Sequence, residues 1–240
     1  MKRKNILVID VETANSTEDA LVYDVGFIVA DLHGNVKIEK SFTIKEIFTL
    51  RPELMTSAYY AEKVPSYHKE LAEGKRELVN FYTMRKTLLD LMKQYEVKEV
   101  YAYNARFDRN ALNTTHRYLT KSKHRWFFPY GTQIKCIWSM TCDTILQQKT
   151  FRKVALREQW FSPSGKFFSS NAETAYRYMT GDYDFIEEHK GLDDVRIEYE
   201  ILLHARRQKK KMRTEINPGC YHRVRIWPTA RKGGFLFTSY

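Results

Sequence analysis

Apolar positions crowd the first part of the chain. Five of the six residues over 6–11 are apolar, a run that reads as a buried strand. A second run, LVYDVGFIVA at 21–30, and the period-two pattern of VKIEKSFTI at 36–44 predict two more strands. The DLHGN between them supplies a turn, so the pair reads as an antiparallel hairpin. Residues 51–62 and 75–95 carry helical spacing, with Leu78, Phe81, Leu88, Leu91 and Met92 able to line one face. KEVYAYN at 98–104 predicts a short strand, and RFDRNALNTTHRYL at 106–119 the helix that follows it. A basic aromatic loop, KSKHRWFFPYG, occupies 121–131. Beyond it the pattern predicts a short strand around 135–138 and helices near 143–149, 152–160 and 171–179. A last strong helix runs from about 192 to about 211. No internal repeat, low-complexity linker or second core interrupts the series. Strands first, then strand and helix in alternation, predict an α/β mixed sheet with helices packed on it.

Composition narrows this picture. At 240 residues, 43% hydrophobic and 14% aromatic, the chain has enough apolar content for a real core and fits one domain with an appendage. No apolar run approaches the ~18 residues of a membrane span. The start, MKRKNILVID, has a basic tip, but Asp10 breaks its apolar run short of the ~7–15 residues of a secretory signal. A cytoplasmic protein with no membrane partner is the expectation. Cys136, Cys142 and Cys220 are odd in number and form no C-x-x-C pair, which predicts packed free thiols. Charge divides the chain at about residue 208. Residues 206–240 hold ten Lys/Arg and one acid, Glu215, a net +9 out of +11. A near-neutral body over 1–208 with a basic extension over 209–240 suggests a polyanionic partner, nucleic acid or an anionic surface.

The candidate chemistry lies in the acids. Asp10 and Glu12 are two residues apart at the end of the most apolar strand, so they point to one face. They mark either an exposed strand end or a crevice at the carboxyl end of buried strands. Two close carboxylates in a crevice repel each other, and a divalent cation turns both into ligands. Oxygen ligation points to a hard ion, Mg²⁺ or Mn²⁺. Asp108 opens the helix after KEVYAYN and is either a third member or a helix-start aspartate. In EEHKGLDDVRIEYE (187–200), His189 in a loop and Asp194 in the first helical turn can converge, or Asp193 and Asp194 can simply charge a helix start.

Taken together, VIDVETA, YNARFD and HKGLDD resemble the three ordered motifs of the DEDDh, DnaQ-like 3′→5′ exonucleases, which include the proofreading subunit of a bacterial replicative polymerase. The motifs span residues 10–194. The resemblance implies a ribonuclease-H-like fold with a mixed five-stranded sheet. It also implies two divalent cations held by Asp10, Glu12, Asp108 and Asp194, with Asp10 shared by both and His189 as general base. Thr13 and Asn104 belong to the motifs and are expected at the substrate. Phe107 offers a surface for an unstacked base, or is simply core. Tyr103 stands where many members carry a second histidine.

The expected partner is therefore single-stranded or 3′-end nucleic acid, with a polymerase or other nucleic-acid-processing protein beside it. The function implied is a 3′→5′ exonuclease releasing nucleoside 5′-monophosphates, DNA favoured. An exoribonuclease trimming RNA ends and a non-catalytic nucleic-acid-binding protein are the alternatives. The loop at 121–131 and the tail match nothing in the family pattern. Trp126, Phe127 and Phe128 read more readily as cover for a hydrophobic flank than as a base platform.

Overall fold

The computed structural model describes residues 4–58 and 61–226. Strands β1 (Asn5–Ala14), β2 (Leu21–Asp31) and β3 (Val36–Ile44) come first, then short helices α1 (Lys45–Phe48) and α2 (Pro52–Met55) and the longer α3 (Val64–Ala72). Strand β4 (Glu77–Val79), α4 (Phe81–Gln94), β5 (Glu99–Ala102), α5 (Ala105–Thr120) and β6 (Gln133–Cys136) follow. The second half is helical: α6 (Ile137–Asp143), α7 (Lys149–Arg157), α8 (Ala172–Thr180) and α9 (Gly191–Arg207).

The six strands form one mixed sheet in the order β4-β3-β2-β1-β5-β6. β2 runs antiparallel to both β1 and β3, whereas β5 joins β1, β6 joins β5 and β4 joins β3 in parallel. The α/β class holds, with six strands where five were expected. The added strand, β4, lies inside the stretch whose spacing predicts one helix over 75–95. Asn80 is the reason: its side chain accepts the Thr83 N–H (2.7 Å), capping a helix that begins only at Phe81. Leu78, expected on the apolar helix face, therefore sits on a strand and is 39% exposed. The helix predicted at 51–62 is broken into short turns, the strand at 135–138 begins two residues earlier, and in place of the helix expected near 143–149 stands only a 3-10 turn, Ile145–Gln147, between α6 and α7.

Alternation along β1 splits the core into two layers. Leu7, Ile9 and Val11 pack with Phe27, Phe42, Met84, Leu88 and Leu112 on one side of the sheet. Ile6 and Val8 pack with Ile28, Tyr101, Ile137 and Ile201 on the other, under α6 and α9. Asp10 and Glu12 continue the face of Ile6 and Val8, so period two aims both acids toward α9.

Where α9 starts, its backbone lies directly on β2. A Cβ on Gly26 would stand 2.0 Å from the Gly191 carbonyl carbon, and one on Gly191 only 2.6 Å from the Gly26 nitrogen. Two glycines facing each other are what let the helix N-terminus come this close.

The segment after α9 is partly built into the body. The Cys136 N–H donates to Thr214 O (2.8 Å), Phe168 N–H to Val224 O (3.1 Å) and Ile226 N–H to Lys166 O (3.1 Å). Arg213 and Arg223 both pair with Asp143 (2.7 and 3.1 Å). Two cations of the basic extension are thus engaged inside the fold, and residues 227–240 lie outside the described ones. All three cysteines are buried and free, as packed thiols should be. None of the described helices is long and apolar enough to cross a membrane.

Candidate functional site

The carboxyl ends of β1 and β5, the first turns of α5 and the start of α9 meet at one place. β5 pairs with β1 only at Leu7 and Val8. Past that point the edge of β1 is open, and α5 begins there. Asp108, in the first turn of α5, accepts a hydrogen bond from the Val11 backbone and covers that open edge. A register shift between Glu12 and Thr13 bends the strand next to the acids.

From the opposite side come His189 and α9. Ligand atoms of Glu12, His189 and Asp194 all lie within 4.8 Å of one another. His189 holds a left-handed backbone, φ 51°, two residues before α9, a conformation that costs a β-carbon residue about 1–2 kcal/mol. Such strain persists only where the surroundings impose it. Asp194 is 4% exposed and accepts a hydrogen bond from the His189 backbone, while its Oδ1 is buried with no partner.

A further carboxylate, not singled out from the motifs, completes the cluster. Glu198 is 4% exposed and accepts the Tyr103 N–H (3.1 Å). It lies one helical turn beyond Asp194, and this i, i+4 spacing on one face is legible in DDVRIEYE. Tyr103 itself is buried and donates its hydroxyl to Ser170 O (2.8 Å), so it faces the core and not the acids.

Electrostatics mark the cluster as one negative well. Burial, then Glu198, Asp108, Glu12 and Asp194, hold Asp10 well above the usual carboxylate range. Burial and Asp194 push Glu12 up to about 10. Asp194 rises to about 8 through burial and Glu187, and Asp108 to about 7 through burial. The charges that act most strongly on Asp10 and Glu12 are all negative. A well of this kind either stays protonated or takes up cations. The oxygen-rich donor set with one imidazole, and the partnerless Oδ1 of Asp194, fit hard divalent ions. His189 goes the other way: burial and the nearby Lys63 hold its imidazole below the ordinary value.

Not every neighbouring acid belongs to the well. Asp24 on β2 lies opposite Glu12 in the register but is fully engaged. It accepts from Arg76 Nη1 (2.6 Å), Tyr67 Oη (2.8 Å) and the Gly191 N–H (3.1 Å). Arg76 continues to Glu70 (2.9 Å), and Glu70 pairs with Lys190, next to His189. This chain fastens the α9 N-terminus and its loop to the sheet.

The expected substrate residues are spread around the rim. Thr13 is half-buried after the bulge. Asn104 is exposed and borders a cavity of about 410 Å³ with Trp138, Phe161 and Tyr221, where the Trp138 and Tyr221 rings stack 9° from parallel. Phe107 packs half-buried against the core.

No family model and no curated protein matches the chain. Among solved structures it is similar to E. coli exonuclease I in complex with a dT13 oligonucleotide, with a TM-score of 0.53 and 14% identity over 86% of this chain and 42% of that one. The same enzyme with a dA16 oligonucleotide gives 0.51 and 16%, again over 86% and 42%. A full-length 3′-exonuclease gives 0.50 and 15%, over 96% of this chain and 69% of that one. The chain spans about two fifths of the exonuclease I chain, and its sheet order and layers are those of the ribonuclease-H-like fold.

Proposed function

We propose that the protein is a metal-dependent 3′→5′ exonuclease that removes nucleoside 5′-monophosphates from single-stranded or frayed ends, DNA by preference. The observation that carries this reading is the convergence of Glu12, His189 and Asp194 within 4.8 Å, in one negative well with Asp10 and Asp108. The structures it resembles in fold include exonuclease I with bound deoxyoligonucleotides, and this favours DNA. The specific likeness to proofreading subunits rests on the three ordered motifs, and a polymerase partner on that likeness alone.

Asp10, Glu12, Asp108 and Asp194 would hold two divalent cations. Once bound, these supply Lewis acidity to the attacking water and neutralise charge on the leaving oxygen. His189 accepts the water proton at an imidazole nitrogen, and its lowered proton affinity keeps it neutral and ready at pH 7. The hydroxide oxygen bonds to phosphorus, the P–O3′ bond breaks, and solvent protonates the departing 3′-oxygen. Asn104 and the cavity beside it are suited to hold a nucleotide next to the scissile phosphate.

The test is digestion of 5′- and 3′-labelled DNA and RNA oligonucleotides with Mg²⁺, with Mn²⁺ and with chelator. Mononucleotides released from the 3′ end, abolished by chelator and by Asp10→Asn, are expected. Metal-independent cleavage, or full activity of Asp10→Asn, would refute the proposal, and the RNA arm decides the sugar.

A further inference from the structure

We infer that the outer face of α5 and the 121–131 loop form a docking surface for single-stranded nucleic acid, an extension of the exonuclease site that rests on the reading above. From Arg106 to Gly131 the chain carries six Lys/Arg (Arg106, Arg109, Arg117, Lys121, Lys123 and Arg125) and one acid, the buried Asp108. Nothing anionic on this stretch is left to offset those charges at the surface.

The loop is pinned, and that is the second observation. Phe127 is fully buried in the core. Its N–H donates to Asn113 Oδ1 (2.8 Å), and its carbonyl accepts from Arg85 Nε (2.8 Å). Phe128 packs half-buried beside it, and the rings on either side of this pair stand out. Trp126 is 63% exposed, Tyr130 is fully exposed, and the Arg117 guanidinium sits 5.7 Å from the Trp126 ring centre. A fold that only needed to cover a hydrophobic flank would turn these rings inward, as it does Phe127. Rings held outward beside cations are the platform on which unstacked bases rest while phosphates meet the charges.

Position ties the surface to the site. Arg109, Asn113 and Arg117 lie at i, i+4 and i+8 on α5, a stripe about 12 Å long. It starts one residue from Asp108. Together with Trp126, Phe128 and Tyr130, these residues line a groove of about 490 Å³. A strand whose 3′ end lies at Asp108 has this groove as a neighbour for its upstream nucleotides.

The experiment measures binding without turnover. In the full chain carrying Asp10→Asn, fluorescence anisotropy reads the affinity for fluorescein-labelled oligothymidylate and oligouridylate, long (about 20 nucleotides) and short (about 4). Trp126→Ala with Tyr130→Ala should weaken the long oligonucleotides about ten- to hundredfold and shrink the advantage of long over short. Both side chains are exposed, so circular dichroism should be unchanged. Equal affinities with and without the two rings overturn the surface even if the wild type digests oligonucleotides. Loss of binding in a chain that shows no nuclease activity keeps the surface and sinks the exonuclease reading. A loss for oligothymidylate alone or oligouridylate alone supports the surface and assigns the sugar it serves.

Discussion

Neutralising Glu12 should stabilise the metal-free protein while destroying its activity. In the folded chain the Glu12 carboxyl is pushed from 4.5 up to about 10, chiefly by burial and by Asp194. Between those values the folded state holds a proton that the unfolded chain has released. Stability contributed by this group is therefore full below pH 4.5 and is lost as pH rises toward 10. At pH 7 the loss spans 2.5 of those units, about 3 kcal/mol at 1.36 kcal/mol per unit. Gln has the shape of the protonated acid and no pKa, so Glu12→Gln removes the loss. For a chain of this size the Tm should rise by roughly 5–10 °C at pH 7 in chelator, with no gain near pH 4.5. Thermal melts by circular dichroism across this range check it. Adding Mg²⁺ or Mn²⁺ should invert the order, because cations stabilise the wild type through the ionised carboxylate and have less to bind in the variant. A lower Tm for Glu12→Gln in chelator at pH 7, or a gain independent of pH, would refute the negative well.

Three further perturbations probe the machinery around it. His189→Ala should lose about 10²–10⁴ in kcat and keep a trace of activity, whereas Asp10→Asn should keep none; in the wild type the acid limb of kcat/KM should lie below the ordinary histidine range, since burial lowers that imidazole. Gly26→Ala places a Cβ 2.0 Å from the Gly191 backbone and should cost at least about 1–3 kcal/mol in urea unfolding, with activity falling as α9 is displaced. Arg76→Met leaves the buried Asp24 without its cation and should cost about 3–5 kcal/mol, partly recovered by adding Asp24→Asn.

How much of this was legible in the residues depends on distance along the chain. Local periodicity placed β2 and β3 nearly to the residue, and the alternation of 6–12 put Asp10 and Glu12 on one face. The order of the three motifs brought Asp108, His189 and Asp194 to the same end of the sheet, though no spacing rule could supply the 4.8 Å. Helix α3 escaped because Tyr67 is its one fully buried residue, too thin a stripe to show periodicity. Strand β4 is masked because helical apolar spacing runs unbroken across the Asn80 cap. Glu198 was visible at i+4 from Asp194, but a glutamate on a helix reads first as solvated. Asp24 gave a fair signal, an acid in the middle of a strand buried along its whole length. A buried carboxylate demands a partner. Its partner Arg76, 52 residues away, could only come from the fold.

Asp24 and the site acids show how the same side chain takes opposite roles within one strand pair. Both Asp24 and Glu12 face α9, and the strand register sets them opposite each other. Asp24 meets a guanidinium, a phenol and a helix N–H, and so it binds α9 to the sheet. The charges that act most strongly on Glu12 are those of Asp194, Asp24, Glu187 and Asp108, all negative, and they favour a proton or a cation on it. The first arrangement makes the second tolerable. Four buried carboxylates and the half-buried Asp10 would push β1, α5 and α9 apart, and two things oppose that. The glycine contact between β2 and α9 brings backbones too close to slide. The run Asp24–Arg76–Glu70–Lys190 anchors the residue next to His189 to the sheet. A site that is electrostatically unfavourable when empty is thereby kept in shape, and under the proposed metal-dependent reading the free energy released on cation entry would go into binding instead of into rebuilding the fold.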